Sequence, residues 1–314
     1  MNSLPDRLGL CCITELYRDR GPMWRFRTVT RTTITRLEDR VQQWLAIRDI
    51  VIHNLHVARN IVGSLKDNGI KHYRLSSSML PLIGEETLGF GVSDLIADED
   101  VMEALDQLAS IIRNTGVTIS SHPGQYTVLP SENEDTVRRA ITDLEIHGWL
   151  HSALGLPENH TNPINIHVGL SNGDPGEIRA RFLNAYNKLS HRVQRRLVLE
   201  NDDKGQWNCE QLYNYFVDKL PLTFDNLHAD CNPSTAGNNA YWARMFRSTW
   251  VDARPVFHWS EGVAGDWWVR KHADYFTHIP DVVKKHRDVT WECEVKAKDR
   301  AILALHGEEQ LNIK

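Results

Sequence analysis

Residues Leu197–Asp203 read Leu-Val-Leu-Glu-Asn-Asp-Asp, a run of aliphatics followed at once by an acid. A short apolar run bounded by polar residues suits a strand covered on both faces, as in a parallel sheet. Glu200, at its end, carries a large desolvation cost unless a cation meets it. An arginine or a metal ion would serve.

The same event recurs along the chain. Seven further stretches read as short apolar strands: Leu8–Ile13, His72–Ser77, Val117–His122, Ile164–Gly169, Leu222–His228, Val256–Ser260 and Val289–Val295; the strand holding Glu200 is Arg196–Asn201. From the third strand on, their tips carry His122, His167, Glu200, Asp225 with His228, His258 and Glu294. Metal-binding residue types at the C-terminal end of strand after strand imply convergence at one point.

Between the strands lie segments of helical periodicity: Thr35–Lys66, Asp98–Asn114, Glu132–Leu154, Gly176–Arg195, Asn208–Leu220 and Ala240–Val251. Thr35 and Glu38 read as a capping box, and Asn68-Gly69 as the stop after the first helix. Strand then helix, repeated without a long polar linker, predicts a parallel sheet with crossover helices. Eight such units predict an α/β fold of the (β/α)8 TIM-barrel type, one domain over residues 1–314, with a metal site at the C-terminal ends of its strands. An open doubly wound sheet binding a dinucleotide would need a glycine-rich turn after the first strand, where this chain has Thr14-Glu15-Leu16-Tyr17.

Bulk composition narrows the function classes. Hydrophobic residues make up 41% and charged residues 25% of the 314, ordinary for a soluble globular protein. No apolar run approaches the roughly 20 residues of a membrane helix, and the N-terminus lacks a signal-peptide core. Five cysteines, Cys11 and Cys12 adjacent, form neither a CxxC pair nor an even disulfide framework, which fits a reduced cytoplasm. A net charge of −5 excludes a basic nucleic-acid coat protein. It does not exclude DNA as substrate, because bound metal ions add positive charge that a residue count misses.

The candidate ligands fall in recognisable settings. His122 closes a strand before a Pro123-Gly124 turn that would expose Gln125 and Tyr126 at the barrel mouth. His167 sits in the similar stretch Ile164–Gly169. Either histidine alone is as readily a half-buried structural residue. Asp225 and His228, three apart, would serve adjacent ions, and Glu292 shares strand parity with Glu294. His272 lies beyond strand seven in a loop or helix start. Eight ligands suffice for two or three divalent ions, and imidazole mixed with carboxylate suits Mn²⁺, Zn²⁺ or Fe²⁺ better than Mg²⁺ or Ca²⁺. Such a cluster activates water and clamps the oxygens of a displacement at phosphorus. No G-x-S-x-G elbow supports a serine nucleophile. His151 and His160 read as surface residues. The run Arg25–Arg36 would contact phosphates or form a solvated loop, and Trp267-Trp268 would stack on bases or pack on the barrel rim.

These motifs resemble the UV damage endonuclease family. The resemblance rests on Ser121–Tyr126 (S-H-P-G-Q-Y), Leu199–Asp202 (L-E-N-D), Asp225–His228 leading into Asn232-Pro233, His272–Tyr275 (H-A-D-Y) and Glu294–Asp299 (E-V-K-A-K-D), with Arg7-Leu8-Gly9 and Tyr73–Ser77 in support. It implies a barrel related to the three-metal apurinic/apyrimidinic endonucleases, with two or three divalent ions, manganese foremost. It implies damaged double-stranded DNA as partner and incision immediately 5′ to UV photolesions, leaving a 3′-hydroxyl and a 5′-phosphate. His122, His167, Glu200, Asp225, His228, His258, His272 and Glu294 match the family's metal ligands, with Glu200 bridging two ions and His228 and His272 holding a third at the phosphate. Gln125 and Tyr126 match a pair that wedges into the duplex, and Lys296 or Lys298 would steady a phosphate. Val256 stands where the family often has a lysine. A monomer in the cytoplasm, at the nucleoid in a prokaryote, is expected. Two alternatives remain from the residues themselves: a divalent-metal sugar isomerase or epimerase on the same barrel, and a metal-free partner of repair proteins.

Overall fold

The eight strands are present, all parallel, and shorter than the apolar stretches that signal them. The computed structural model describes residues 4–124, 126–263 and 270–311. The strands are β1 (Arg7–Cys11), β2 (His72–Leu75), β3 (Thr118–Ser121), β4 (Ile164–Ile166), β5 (Leu197–Glu200), β6 (Leu222–Thr223), β7 (Val256–Trp259) and β8 (Thr290–Cys293). They form one sheet in the order β6-β5-β4-β3-β2-β1-β8-β7. The two remaining edges meet through a single parallel bridge between Asp225 and His258, where the His258 N–H donates to the Phe224 carbonyl at 2.9 Å. With helices crossing over between successive strands, this is a (β/α)8 barrel.

Capping chemistry explains where elements start and stop. β6 ends early because the Asp225 carboxylate accepts the His228 backbone N–H at 2.8 Å and caps the helix Asn226–Cys231. His228, expected on the strand, therefore lies in the first turn of a helix. The long first helix runs Arg40–Leu65 and is capped by Asp39, whose side chain accepts from the Gln42 N–H at 2.8 Å. Thr35, the expected cap, instead closes the short helix Arg31–Ile34. The segment expected as one helix over Gly176–Arg195 is two, Pro175–Tyr186 and His191–Gln194, with Glu145 accepting the Ser190 N–H at the break. Asp98 and the left-handed Gly116 (φ 69°) cap the helix Glu99–Thr115. No helix among the described residues is long and apolar enough to cross a membrane.

His151 is not on the surface. It is fully buried on the inner face of Glu134–Ala153, with Nε2 3.1 Å from the Ser121 hydroxyl. Burial, reinforced by Arg196, pushes its pKa well below the ordinary imidazole value, so it serves as a neutral strut behind β3.

The connection between β1 and the first long helix is anchored rather than free. Buried Asn54 accepts the Arg27 N–H at 2.8 Å and donates to the carbonyls of Arg27 and Ser78 at 2.9 and 3.0 Å. Asn60 donates to the Met23 carbonyl at 3.0 Å, and His53 lies 2.9 Å from that of Arg25. The Arg25–Arg36 run thus follows this helix with its arginines exposed. Asn54→Ala strips a partner from four backbone groups, the Met79 carbonyl at 3.4 Å included, and should lower stability by about 2–3 kcal/mol. Urea unfolding checks this; a loss below about 0.5 kcal/mol would mean that the segment is held elsewhere.

Candidate metal centre

Strand alternation sends every second side chain into the lumen. From β2 these are His72 and Arg74, from β3 Ser120, from β4 Asn165, from β5 Glu200, from β7 His258 and from β8 Glu292. Their mutual contacts confirm that they face one another. The lumen is therefore polar, whereas many barrels fill it with aliphatic layers.

Glu200 is the hub. It is 1% exposed. One oxygen, Oε2, lies 3.1 Å from His122 Nε2 and 3.6 Å from His167 Nε2, and also accepts from the Asn165 amide. The other, Oε1, lies 3.0 Å from both His258 Nδ1 and His228 Nδ1. Burial opposes ionisation of Glu200, but the charges of His258 and His167 and hydrogen bonds from His122 and His228 hold its pKa well below the usual carboxylate range. Burial likewise opposes charge on His258, yet Glu200 and Glu294 outweigh it and raise its pKa well above the imidazole norm. His228 is raised well above the same norm, with Asp225 and Glu200 overcoming its burial.

Two histidines are aimed at the hub through their far nitrogens. His122 Nδ1 lies 3.0 Å from the Pro123 carbonyl, and His167 Nδ1 2.6 Å from Asp202. A donor N–H there would leave each Nε2 free to give its lone pair to an ion in place of its contact with Glu200.

A second acidic group lies toward β8. Arg74 Nη1 pairs with Glu292 at 3.1 Å and also with Glu294. Burial opposes ionisation of Glu294, but Arg74 and His258 bring its pKa down to about 2. Glu294 Oε1 is 3.4 Å from His258 Nδ1, and its other oxygen is 4.0 Å from His272 Nε2. His272 sits on an isolated antiparallel bridge with Gly262, not in a helix. It approaches the cluster across Glu294, while His228 approaches through Glu200. Lys296 is half exposed and 3.4 Å from Asp274. Tyr126 is 82% exposed at the rim, on a turn pinned by the Thr127 hydroxyl to Asp143 at 2.7 Å. Gln125 and Trp267-Trp268 lie outside the described residues.

The donor set fits divalent ions at two places. Donor atoms of His122, His167 and Glu200 lie within 4.8 Å of one another, as do those of Glu200, Asp225 and His258. These are carboxylate oxygens with imidazole nitrogens, the mixture that suits Mn²⁺, Zn²⁺ or Fe²⁺. Beside them the buried Asn165 Oδ1 has no hydrogen-bond partner. A third group, Cys11 with Glu292 and Glu294, does not fit a metal. Arg74 already pairs with both acids, and burial pushes the Cys11 thiol well above its ordinary pKa, so it stays protonated.

Arg74, Asn165 and Asp202 were not among the residues singled out from the sequence as site candidates. Alternation offered a signal for two of them, since Arg74 in His72-Tyr73-Arg74-Leu75 and Asn165 in Ile164-Asn165-Ile166 are polar residues on otherwise apolar strands.

The UV-endonuclease UvdE family matches residues 6–313. The UV DNA damage endonuclease of Nostoc sp. is 29% identical, over 97% of this chain and 90% of its own length. Among solved structures, SacUVDE superimposes with a TM-score of 0.81 at 26% identity, covering 98% of this chain and 99% of that one. Endonuclease IV from Thermus thermophilus shares the fold, with a TM-score of 0.55 at 16% identity over 81% of this chain and 94% of that one. The chain belongs to the UV-endonuclease UvdE family and is a DNA-repair endonuclease.

Proposed function

We propose that this endonuclease cuts duplex DNA at the phosphodiester immediately 5′ to a cyclobutane dimer or 6-4 photoproduct, leaving a 3′-hydroxyl and a 5′-phosphate. It acts as a monomer with two or three divalent ions, manganese foremost, and works where the DNA is, in the cytoplasm or at the nucleoid. The observation that carries this reading is the sharing of one buried carboxylate, Glu200, by two ligand groups. Bound there, the ions would supply the positive charge that activates a water for attack on phosphorus and stabilises the departing 3′-oxygen.

The chain's own residues divide the remaining work. His122 and His167 face one side of Glu200; Asp225 and His258 face the other, with Glu294 next to His258. Asp202 fixes the ring of His167. Arg74 cancels part of the charge of Glu292 and Glu294. His228 and His272 flank the acids and would orient the scissile phosphate. At the rim the exposed Tyr126, with Gln125 beside it, would wedge into a duplex whose cross-linked bases already stack poorly. Lys296 would steady a neighbouring phosphate.

Glu200→Gln keeps the shape of the hub but removes its charge. Nicking of an end-labelled duplex carrying one cyclobutane dimer, with Mn²⁺ present, should fall at least about a hundredfold. In the wild type the break should map to the 5′ side of the dimer. A break elsewhere, or full nicking by the variant, would sink the reading.

Metal-free protein should also show a defined pH response. His167, His228 and His258 have folded pKa values raised above 6.5, so their contribution is complete below 6.5 and is lost as pH rises through the raised values. Glu200 and Glu294, depressed below 4.5, contribute above 4.5 and lose that contribution as pH falls through their folded values. Calorimetry in EDTA should therefore give a melting temperature that falls from about pH 6.5 into the alkaline range, and Mn²⁺ should flatten that fall. An EDTA curve that stays level would contradict the charge balance described.

A further inference from the structure

Glu292 is buried beneath the centre and takes no part in the ligand groups around Glu200. Its surroundings fix it tightly. Oε1 lies 2.8 Å from His72 Nε2 and accepts the Ser120 hydroxyl; Oε2 lies 3.1 Å from Arg74 Nη1 and 3.2 Å from His258 Nε2. His72 is itself held by Thr118, 2.8 Å from its Nδ1. In the sheet, Glu292 stands in register with Gly9 on one side and His258 on the other. A Cβ at Gly9 would come within 2.8 Å of the His72 ring and 3.4 Å of Glu292 Cγ, so β1 leaves room for this layer by carrying a glycine.

The geometry matters for His258. His122 and His167 are oriented by partners at Nδ1, the Pro123 carbonyl and Asp202, and present Nε2 to Glu200. His258 is turned the other way. Its Nδ1 lies 3.0 Å from Glu200 and 3.8 Å from Asp225, so only Nε2 is left for an orienting partner, and Glu292 is what it meets.

We propose that Glu292 is a positioning residue for the inner half of the centre: it accepts the Nε2–H of His258, fixes the tautomer with a lone pair on Nδ1, and so sets divalent-cation affinity at the Glu200–Asp225–His258 group. The inference rests on the reading that a cation binds there. Glu292 itself is not a ligand, since Arg74 and His72 occupy it. An immobilised carboxylate behind a ligating imidazole raises ligand basicity and typically changes metal affinity by about 10–100-fold.

The test uses the full chain, stripped of metal and titrated with Mn²⁺ while free Mn²⁺ is followed by electron paramagnetic resonance. In Glu292→Gln one of the binding constants should weaken about 10–100-fold while another stays within about threefold, with the circular dichroism spectrum unchanged. Mn²⁺ constants all equal to wild type would overturn the inference and leave the endonuclease reading intact. A wild type that binds no divalent ion would remove both. Should the variant fail to fold, nitrogen-15 histidine spectra of the Zn²⁺-loaded wild type decide: His258 protonated at Nε2 and bare at Nδ1 supports the proposal, and the opposite tautomer overturns it.

Discussion

Burial of negative charge is the constraint on which the rest of this barrel depends. Glu200, Asp225 and Glu292 are at most 1% exposed, and the Glu294 side chain is 12% exposed. One guanidinium, that of Arg74, faces two of these four acids. The remaining neutralisation falls to imidazoles whose affinity for protons is correspondingly raised, or to cations that replace those protons. A lumen of this kind contributes little to hydrophobic stability. The strands compensate on their outward faces, where Tyr73, Ile119, Leu197, Leu199, Phe257, Trp259 and Trp291 are fully buried. The apolar core is thus the layer between sheet and helices, and the barrel interior is left for chemistry.

Much of this was legible in the chain. An acid directly after buried aliphatics, as at Glu200, leaves a sharp signal because few arrangements satisfy it. Repeated over successive strands, that signal specifies both the barrel and the place where its strand ends converge. Other features were not local enough to read. The stretch Asp225-Asn226-Leu227-His228 looks like the continuation of a strand until the Asp225 carboxylate captures the His228 N–H and starts a helix. Thr35 and Asp39 both offer a plausible cap, and the choice fell to Asp39 and the helix it starts. Arg74, Asn165 and Asp202 acquire their partners only once strand order and register bring β2 beside β8 across β1 and β4 beside β5. His151 looked like a surface histidine because nothing in a helical pattern announces that a polar residue will be buried against Ser121.

Fold alone does not separate a nuclease from other users of this barrel. In the proposed reading the discriminating features sit on the loops above the strands. Tyr126 is the clearest: a large ring held in water by a turn that is itself tied down through Thr127 and Asp143. An exposed aromatic on a rigid mount surrenders little entropy when it meets a partner, which suits a probe more than a packing residue.

The seam between β6 and β7 carries a consequence of its own. β6 lends only two residues to the sheet, and the cylinder is completed by the bridge between Asp225 and His258. Those two are also the acid and imidazole that share Glu200. An ion held by both would act as a rivet through the last pair of staves, so loading the centre and closing the cylinder become a single linked equilibrium. Losing the ion would slacken the wall at its thinnest joint, and the barrel would breathe there first.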